Sequence, residues 1–316
     1  MENLAVIDLG SNSARMTVTE IHDDGSYQVV QRMKRMVRLS ENMGEEKTLK
    51  DSAMDRTIQA LKDFQEVYQQ LPNVTLRAVA TAAVRMAKNQ KEFLARVAAE
   101  VDGLKLEVIT GTMEAHYDYL GVINTLPVTN CVIMDTGGAS CELVLVQNGK
   151  AQNLVSLPIG AVNLSEQFFK NRTDVLRAQD LFWETTFVNR LFNGIWWLHR
   201  GQNLPIVALG GSNRTLAKIY RKKVKALDFE DIHGYRMAVD QIETVYADII
   251  GKNLAERRDI PGLARDRADI IAGGITPIVT ILRYLDSDRV FFSQNGVREG
   301  ILFEHITERQ DHDQLK

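Results

Sequence analysis

The chain has 316 residues, 45% of them hydrophobic and 25% charged, with a formal net charge of −3. That length suits about two domains, each with a core of its own, and the slightly acidic balance argues against a nucleic-acid binder. No apolar stretch approaches a membrane span, and the opening Met-Glu-Asn lacks the basic-then-apolar plan of a signal peptide, so a cytoplasmic location is expected.

Residues 6–18 read as a β-hairpin, apolar on both arms, with Asp8, Gly10 and Ser13 at its turn. A further strand is expected at 27–37 and a loop at 39–44. Residues 51–70 have helical spacing in Met54, Ile58, Leu61, Phe64, Val67 and Tyr68, with Asp51 or Ser52 as N-cap and Leu71-Pro72 as the stop. A strand at 74–80, a new element from Thr81, a helix at 90–101 and a strand at 105–110 complete an α/β rhythm. Arg85, in that new element, reads either as a surface arginine or as a clamp that binds an oxyanion through two parallel N–H groups. Gly111-Thr112 then opens a helix expected to pack Met113, Tyr117, Leu120 and Gly121 on one face. Glu114 falls in its first turn. Helix N-termini favour acids for electrostatic reasons alone; on the functional reading the same field keeps the carboxylate ionised and aims it into the cleft, as a general base needs.

Leu126-Pro127 marks the expected crossing to a second domain, which opens on a second hairpin at 131–146. Its first arm ends in Asp135, Gly137-Gly138 turn the chain, and Glu142 begins the return. Such a turn lets backbone N–H groups approach an anion closely. Two carboxylates beside a bound phosphate would repel it without a cation between them, and Mg²⁺, or another divalent cation, is the usual one. Asp135, Gly137 and Ser140 repeat the spacing of Asp8, Gly10 and Ser13, with Arg15 standing where the second copy has Glu142. The duplication suggests two similar halves facing each other across a cleft, each supplying a phosphate turn. Cys131 and Cys141 lie on the two arms of this hairpin and read as reduced core thiols. The histidines are scattered without a zinc pattern, and Asp311-His-Asp313 reads as a polar terminus.

A strand at 154–157 leads to a long helical region, 164–200, interrupted near 170–173. Its aromatics (Phe168, Phe169, Phe182, Trp183, Phe187, Phe192, Trp196 and Trp197) read as core and interhelix packing. The buried strand 205–209 delivers the chain to Gly210, Gly211 and Ser212, a third strand–glycine–helix junction suited to an anion over a helix N-terminus. Helices are expected at 237–255 and about 269–285, with a tight helix contact at Ala272-Gly-Gly274. A strand at 290–293, a turn at Asn295-Gly296 and a helix at 297–307 close the chain. Two basic runs, one at Arg32, Lys34, Arg35 and Arg38 and one from Arg214 to Lys225, read as solvated faces, or as contacts to a long polyanion.

Seven segments carry a family resemblance in order: Asp8-Leu-Gly-Ser-Asn-Ser13, Ala80-Thr-Ala-Ala-Val-Arg85, Gly111-Thr-Met-Glu-Ala115 with Tyr119-Leu-Gly-Val122, Asp135-Thr-Gly-Gly-Ala-Ser-Cys-Glu142, Pro158-Ile-Gly-Ala-Val162, Gly210-Gly-Ser212 and Gly296-Val-Arg-Glu-Gly-Ile-Leu302. Over nearly the whole chain the set resembles the exopolyphosphatase / guanosine pentaphosphate phosphohydrolase family. The resemblance implies an α/β fold of two actin-like (ASKHA, ribonuclease H-like) domains around an interdomain cleft. These would span 1–124 and 125–296, with a C-terminal helix at about 297–316 packing back on the first.

The resemblance also implies hydrolysis of the terminal phosphoanhydride of inorganic polyphosphate, or of guanosine pentaphosphate as the alternative substrate. Matched by residue, Glu114 is the base that activates water and Arg85 clamps the phosphoryl oxygens. Ser11, Asn12, Ser13, Gly137, Gly138, Ser140, Gly210, Gly211 and Ser212 form the phosphate turns. Asp135 and Glu142 hold Mg²⁺, with Asp8 contributing through water. A homodimer is compatible with this reading; a nucleic-acid or membrane partner is not expected. Departures from the family pattern are Met113 where an acid is common, Ala139 for glycine, Cys141 for threonine and Asn163 for arginine. The HD-type C-terminal domains of longer members are expected to be absent. Two rivals remain open at this level: a small-molecule kinase of the same superfamily, and an actin-like nucleotide switch or polyphosphate-binding scaffold that would tolerate loss of Glu114.

Overall fold

The computed structural model describes residues 1–169 and 174–314, and the chain forms two compact units. Met1–Gly121 joins the C-terminal helix Val297–Gln314 in the first, and Val122–Gly296 forms the second. The expected interruption near 170–173 lies outside the described residues.

The first unit is built on β1 (Glu2–Leu9), β2 (Ser13–Ile21), β3 (Tyr27–Met36), β4 (Val74–Ala80) and β5 (Leu106–Val108), in the order β3-β2-β1-β4-β5. β1 to β3 form an antiparallel meander, while β4 lies parallel to β1 and β5 parallel to β4. β1 is apolar at consecutive positions because both of its faces are covered, and the period-2 alternation of a strand sorts them. Ala5, Ile7 and Leu9 share a core with Ile58, Leu61 and Phe64 of helix Asp51–Tyr68. Leu4 and Val6 pack instead with Tyr117, Ile301 and Leu302, from helices Gly111–Ile123 and Val297–Gln314. The edge strand β3 is largely exposed and carries the first basic run, where Arg35 pairs with Asp63 at 2.9 Å. Charges on an edge strand discourage pairing with another chain.

The second unit repeats the plan with β6 (Cys131–Thr136), β7 (Cys141–Gln147), β8 (Lys150–Leu157), β9 (Ile206–Leu209), β10 (Arg236–Ala238) and β11 (Arg289–Phe292). From β8 the order is β8-β7-β6-β9-β11, the same meander followed by two parallel neighbours, with β10 added antiparallel at the edge. This is the actin-like α/β plan, present twice. Helix Ile271–Tyr284 is buried along almost its entire length, between neighbouring helices and the sheet.

Several local expectations are corrected. The first long helix is capped by Lys50 without a side-chain bond, not by Asp51 or Ser52. Met113 is exposed, because the helix turns Glu114, Ala115, Tyr117 and Asp118 inward instead. Residues 237–238 belong to β10 rather than to a helix, and the helix after it is capped by Gly251, giving two helices, Val239–Ile250 and Leu254–Arg258. Phe182, Trp183 and Trp196 are more than half exposed and are not core, whereas Phe169, Phe192 and Trp197 are buried. The C-terminal helix runs beyond residue 307, to Gln314. Cys131 faces Val146 and Cys141 faces Thr136, at opposite ends of the β6–β7 ladder, so the two do not bond to each other. Among the described residues, no helix is long and apolar enough to cross a membrane.

Candidate active site

In the second unit, Asp135 and Glu142 are direct partners across the β6–β7 ladder. Directly opposed residues project from the same sheet face with β-carbons roughly 5 Å apart, and like charges so placed repel each other. Glu142 is almost fully buried, and its Oε1 accepts a 2.7 Å hydrogen bond from Ser156 of β8. Between the two acids the turn is closed by the Gly137 N–H, which donates to the Ser140 carbonyl at 2.9 Å. The other turn carbonyls are engaged from behind. Gly137 O accepts from Ala161 N–H, Gly138 O from Val162 N–H, and Ala139 O from the Asn163 amide. With its carbonyls so occupied, the turn has N–H groups to offer an incoming anion. Asn163 also accepts from Gly160 N–H at 2.6 Å and donates to Pro158 O at 3.0 Å. The residue that departs from the family arginine therefore ties the turn to the following helix.

Gly210 ends β9 beside this pair. Its φ is +87°, and a β-carbon there would lie 2.5 Å from Asp135 Oδ1 and 2.3 Å from the Thr136 carbonyl, so only glycine fits. Ser212 follows in the first turn of helix Gly211–Lys223, pressed by Gly274, whose added β-carbon would sit 2.1 Å from the Ser212 hydroxyl. The expected Gly-Gly contact is thus a brace behind a candidate phosphate turn. Arg267, absent from the sequence reading, lies buried with its guanidinium over Gly211; an added β-carbon would meet it at 2.3 Å. The second basic run follows on the same helix. There Lys218 pairs with Glu230, Arg221 stacks on Tyr235 and Lys222 on Phe229.

The first unit carries the corresponding turn. Gly10 N–H donates to Ser13 O at 3.1 Å, matching the Gly137–Ser140 bond, and Asp8 faces Arg15 in the register where Asp135 faces Glu142. Ser11 and Asn12 carbonyls are taken by N–H groups of residues 37, 38 and 40, so this turn too is held by its carbonyls. Ser11, Asn12 and Ser13 are buried, and the Asn12 Nδ2 donor finds no acceptor, an unusual state for a buried amide.

Parallel β1, β4 and β5 end side by side, and the chain leaves β4 into helix Ala82–Met86 and β5 into helix Gly111–Ile123. The first helix carries Arg85 and the second Glu114, at the carboxyl ends of the strands, where open α/β sheets bind ligands. Arg85 Nη1 donates to Glu114 Oε2 at 3.0 Å and to Ile109 O at 2.9 Å. Thr110 caps the second helix, its hydroxyl accepting from Met113 N–H at 3.1 Å. Glu114 is buried and paired, which goes beyond what a helix N-terminus asks of an acid.

Within the second unit the geometry therefore gathers Asp135, Glu142, the turn at Gly137, Gly138 and Ser140, and Gly210 to Ser212. Within the first it gathers Arg85 with Glu114 at the sheet end that also bears Asp8 and Ser11 to Ser13. Among the described residues, no three histidine, cysteine or acidic side chains form a ready-made metal cage. Two opposed carboxylates nevertheless fit a hard cation such as Mg²⁺, which takes one or two protein carboxylates and completes its shell with water and substrate phosphate.

Residues 17–309 match the model of the Ppx/GppA phosphatase family. The chain is 33% identical over 313 residues to the guanosine-5'-triphosphate,3'-diphosphate pyrophosphatase of Vibrio campbellii, an alignment covering 98% of this chain and 60% of that relative's length. The Aquifex aeolicus Ppx/GppA family member superposes with a TM-score of 0.78 at 30% identity, over 98% of each chain. An exopolyphosphatase from Cytophaga hutchinsonii shares the fold with a TM-score of 0.88 at 22% identity, covering 97% of this chain and 98% of the other. The chain belongs to the Ppx/GppA phosphatase family.

Proposed function

We propose that the chain hydrolyses the terminal phosphoanhydride of inorganic polyphosphate. The observation that carries this reading is the Asp135–Glu142 pair, two carboxylates opposed across one ladder and bracketing a glycine turn whose carbonyls are occupied. Mg²⁺ bound there would neutralise charge on the phosphoryl oxygens. Asp135 and Glu142 would hold it. In the second unit the turns at Gly137 to Ser140 and Gly210 to Ser212 would orient a phosphate through N–H and hydroxyl groups, and in the first the turn at Ser11 to Ser13 offers the same groups. The unsatisfied Asn12 amide supports a ligand with acceptor oxygens at the last of these turns. Glu114 takes a proton from the attacking water as its oxygen bonds to phosphorus. The bond from phosphorus to the bridging oxygen then breaks, releasing orthophosphate and a chain shorter by one unit. Arg85 holds Glu114 in place through a 3.0 Å ion pair, and its guanidinium would help neutralise phosphoryl charge.

A second reading, removal of the 5′ γ-phosphate of guanosine pentaphosphate, is favoured by the name of the Vibrio campbellii relative at 33% identity. The chemistry is the same; what differs is recognition of the leaving group. Phosphate release from long-chain polyphosphate, guanosine pentaphosphate and ATP, measured side by side with Mg²⁺, separates the readings. Polyphosphate is expected to be turned over fastest. Turnover of none would leave the scaffold reading. Glu114→Ala is expected to lower kcat by at least a hundredfold while substrate still binds, and undiminished turnover in that variant would remove Glu114 from the base role.

A further inference from the structure

Helix Val297–Gln314 belongs to the first unit and lies against the helix that carries Glu114. At Gly300 a β-carbon would fall 2.0 Å from the Tyr117 carbonyl oxygen and 2.6 Å from its carbonyl carbon. Both are backbone atoms, which cannot swing aside as a flexible side chain would. Tyr117 is three residues, about one helical turn, beyond Glu114. Glu304, about one turn beyond Gly300, accepts a 2.9 Å hydrogen bond from the Tyr117 hydroxyl. Arg77 of β4 reaches the same pair, 3.4 Å from the hydroxyl and 3.6 Å from the carboxylate. Burial, with help from Glu304, pushes the Tyr117 phenol up to about 12, so it remains a donor throughout the neutral range. Val297 and Ile301 pack in the same apolar cluster as Tyr117. The two helices therefore meet by backbone contact at one level and by a side-chain bond at the next.

We infer that Gly300 and the Tyr117–Glu304 contact are positioning elements for Glu114: they set how closely its helix docks, and so where its carboxylate stands beside Arg85. The inference rests on Glu114 acting as the base. A side chain at residue 300 would have to push the helices apart by at least 1 Å before its β-carbon reached the shortest separation such atoms adopt. Misplacement of a catalytic group by about 1 Å costs on the order of a hundredfold in rate. Nothing in this contact touches a phosphate turn, so binding should be spared.

The test uses the full chain with Mg²⁺ and whichever substrate it turns over. Gly300→Ala is expected to lower kcat about a hundredfold with KM changed less than about threefold. Glu304→Ala is expected to lower kcat about tenfold, while Glu304→Gln, which keeps an acceptor for the tyrosine, restores it. If Gly300→Ala does not fold, the Glu304 pair decides. A folded Gly300→Ala enzyme with unchanged kcat would overturn the inference, as would equal kcat values for Glu304→Ala and Glu304→Gln. Glu114→Ala, assayed in parallel, keeps the two claims apart. If it retains turnover, the base assignment falls. If it is dead while the Gly300 and Glu304 variants run at the original rate, only the positioning inference falls.

Discussion

Replacing Glu184 with glutamine should change how the stability of the second unit depends on pH. Glu184 lies on helix Ala178–Asn193 with no exposed surface, and neither carboxyl oxygen has a hydrogen-bond partner. Thr276 and Tyr246 are its polar neighbours, but the Thr276 hydroxyl already donates to Ala272 O at 3.1 Å. Burial pushes the carboxyl up to about 8 from an ordinary 4.5. Below 4.5 the group is protonated in both folded and unfolded chains and adds no pH dependence. Between 4.5 and 8 the folded chain keeps a proton that the unfolded chain has lost, so rising pH favours unfolding. The slope approaches ~1.4 kcal/mol per pH unit, and the total across the window is on the order of 5 kcal/mol. All three tryptophans (Trp183, Trp196 and Trp197) lie in this unit, so their fluorescence reports its unfolding. Denaturant titrations from pH 5 to pH 8 should show Glu184→Gln gaining on the parent chain by about 1 kcal/mol for each unit of pH. Parallel pH profiles for the two proteins would refute the reasoning.

Three further outcomes are expected. Glu142→Gln should raise the Mg²⁺ concentration needed for half-maximal activity by at least tenfold, and calorimetric titration with Mg²⁺ alone should lose the corresponding heat. Gly274→Ala places a methyl group against the Ser212 hydroxyl and 2.8 Å from Ala161 Cβ. It should cost ~1–3 kcal/mol of second-unit stability, read by the same fluorescence titration, and raise KM through the displaced turn. Burial pushes the Cys131 thiol up to about 12. At pH 8 a thiol reagent should therefore modify it only as fast as the unit unfolds, and prompt labelling of that residue in the folded chain would contradict this.

The two hairpins were legible because each is a local pattern: an apolar arm, an acid, glycine at a fixed offset, then serine. Their matching registers, Asp8 against Arg15 and Asp135 against Glu142, follow once the turn is set. Features that depend on distant partners left no local mark. Arg267 meets Gly211 across more than fifty residues, and nothing around it in sequence distinguishes it from a surface arginine. β10 has three residues, too few for an alternation to register. Met113 belongs to an apolar stripe at helical spacing, yet the helix buries the face bearing Glu114 and Asp118. Periodicity does not mark a polar residue for burial, and here a tertiary partner does so, Arg85 for Glu114. The converse applies to Phe182, Trp183 and Trp196, aromatics read as core that face solvent.

The first unit is assembled from two segments, one on each side of the second, which is a continuous run from Val122 to Gly296. During synthesis, then, the middle of the chain is the first part able to complete its core. The sheet of the first unit is made before the second unit but waits longer, because Leu4, Val6 and Val79 receive Ile301 and Leu302 only after the whole second unit has been made. Until then one apolar face of that sheet is open to water and to other nascent chains. Released chains that stop at residue 296 should hold a folded second unit beside an unfinished first one, a state in which a holding chaperone has its clearest target.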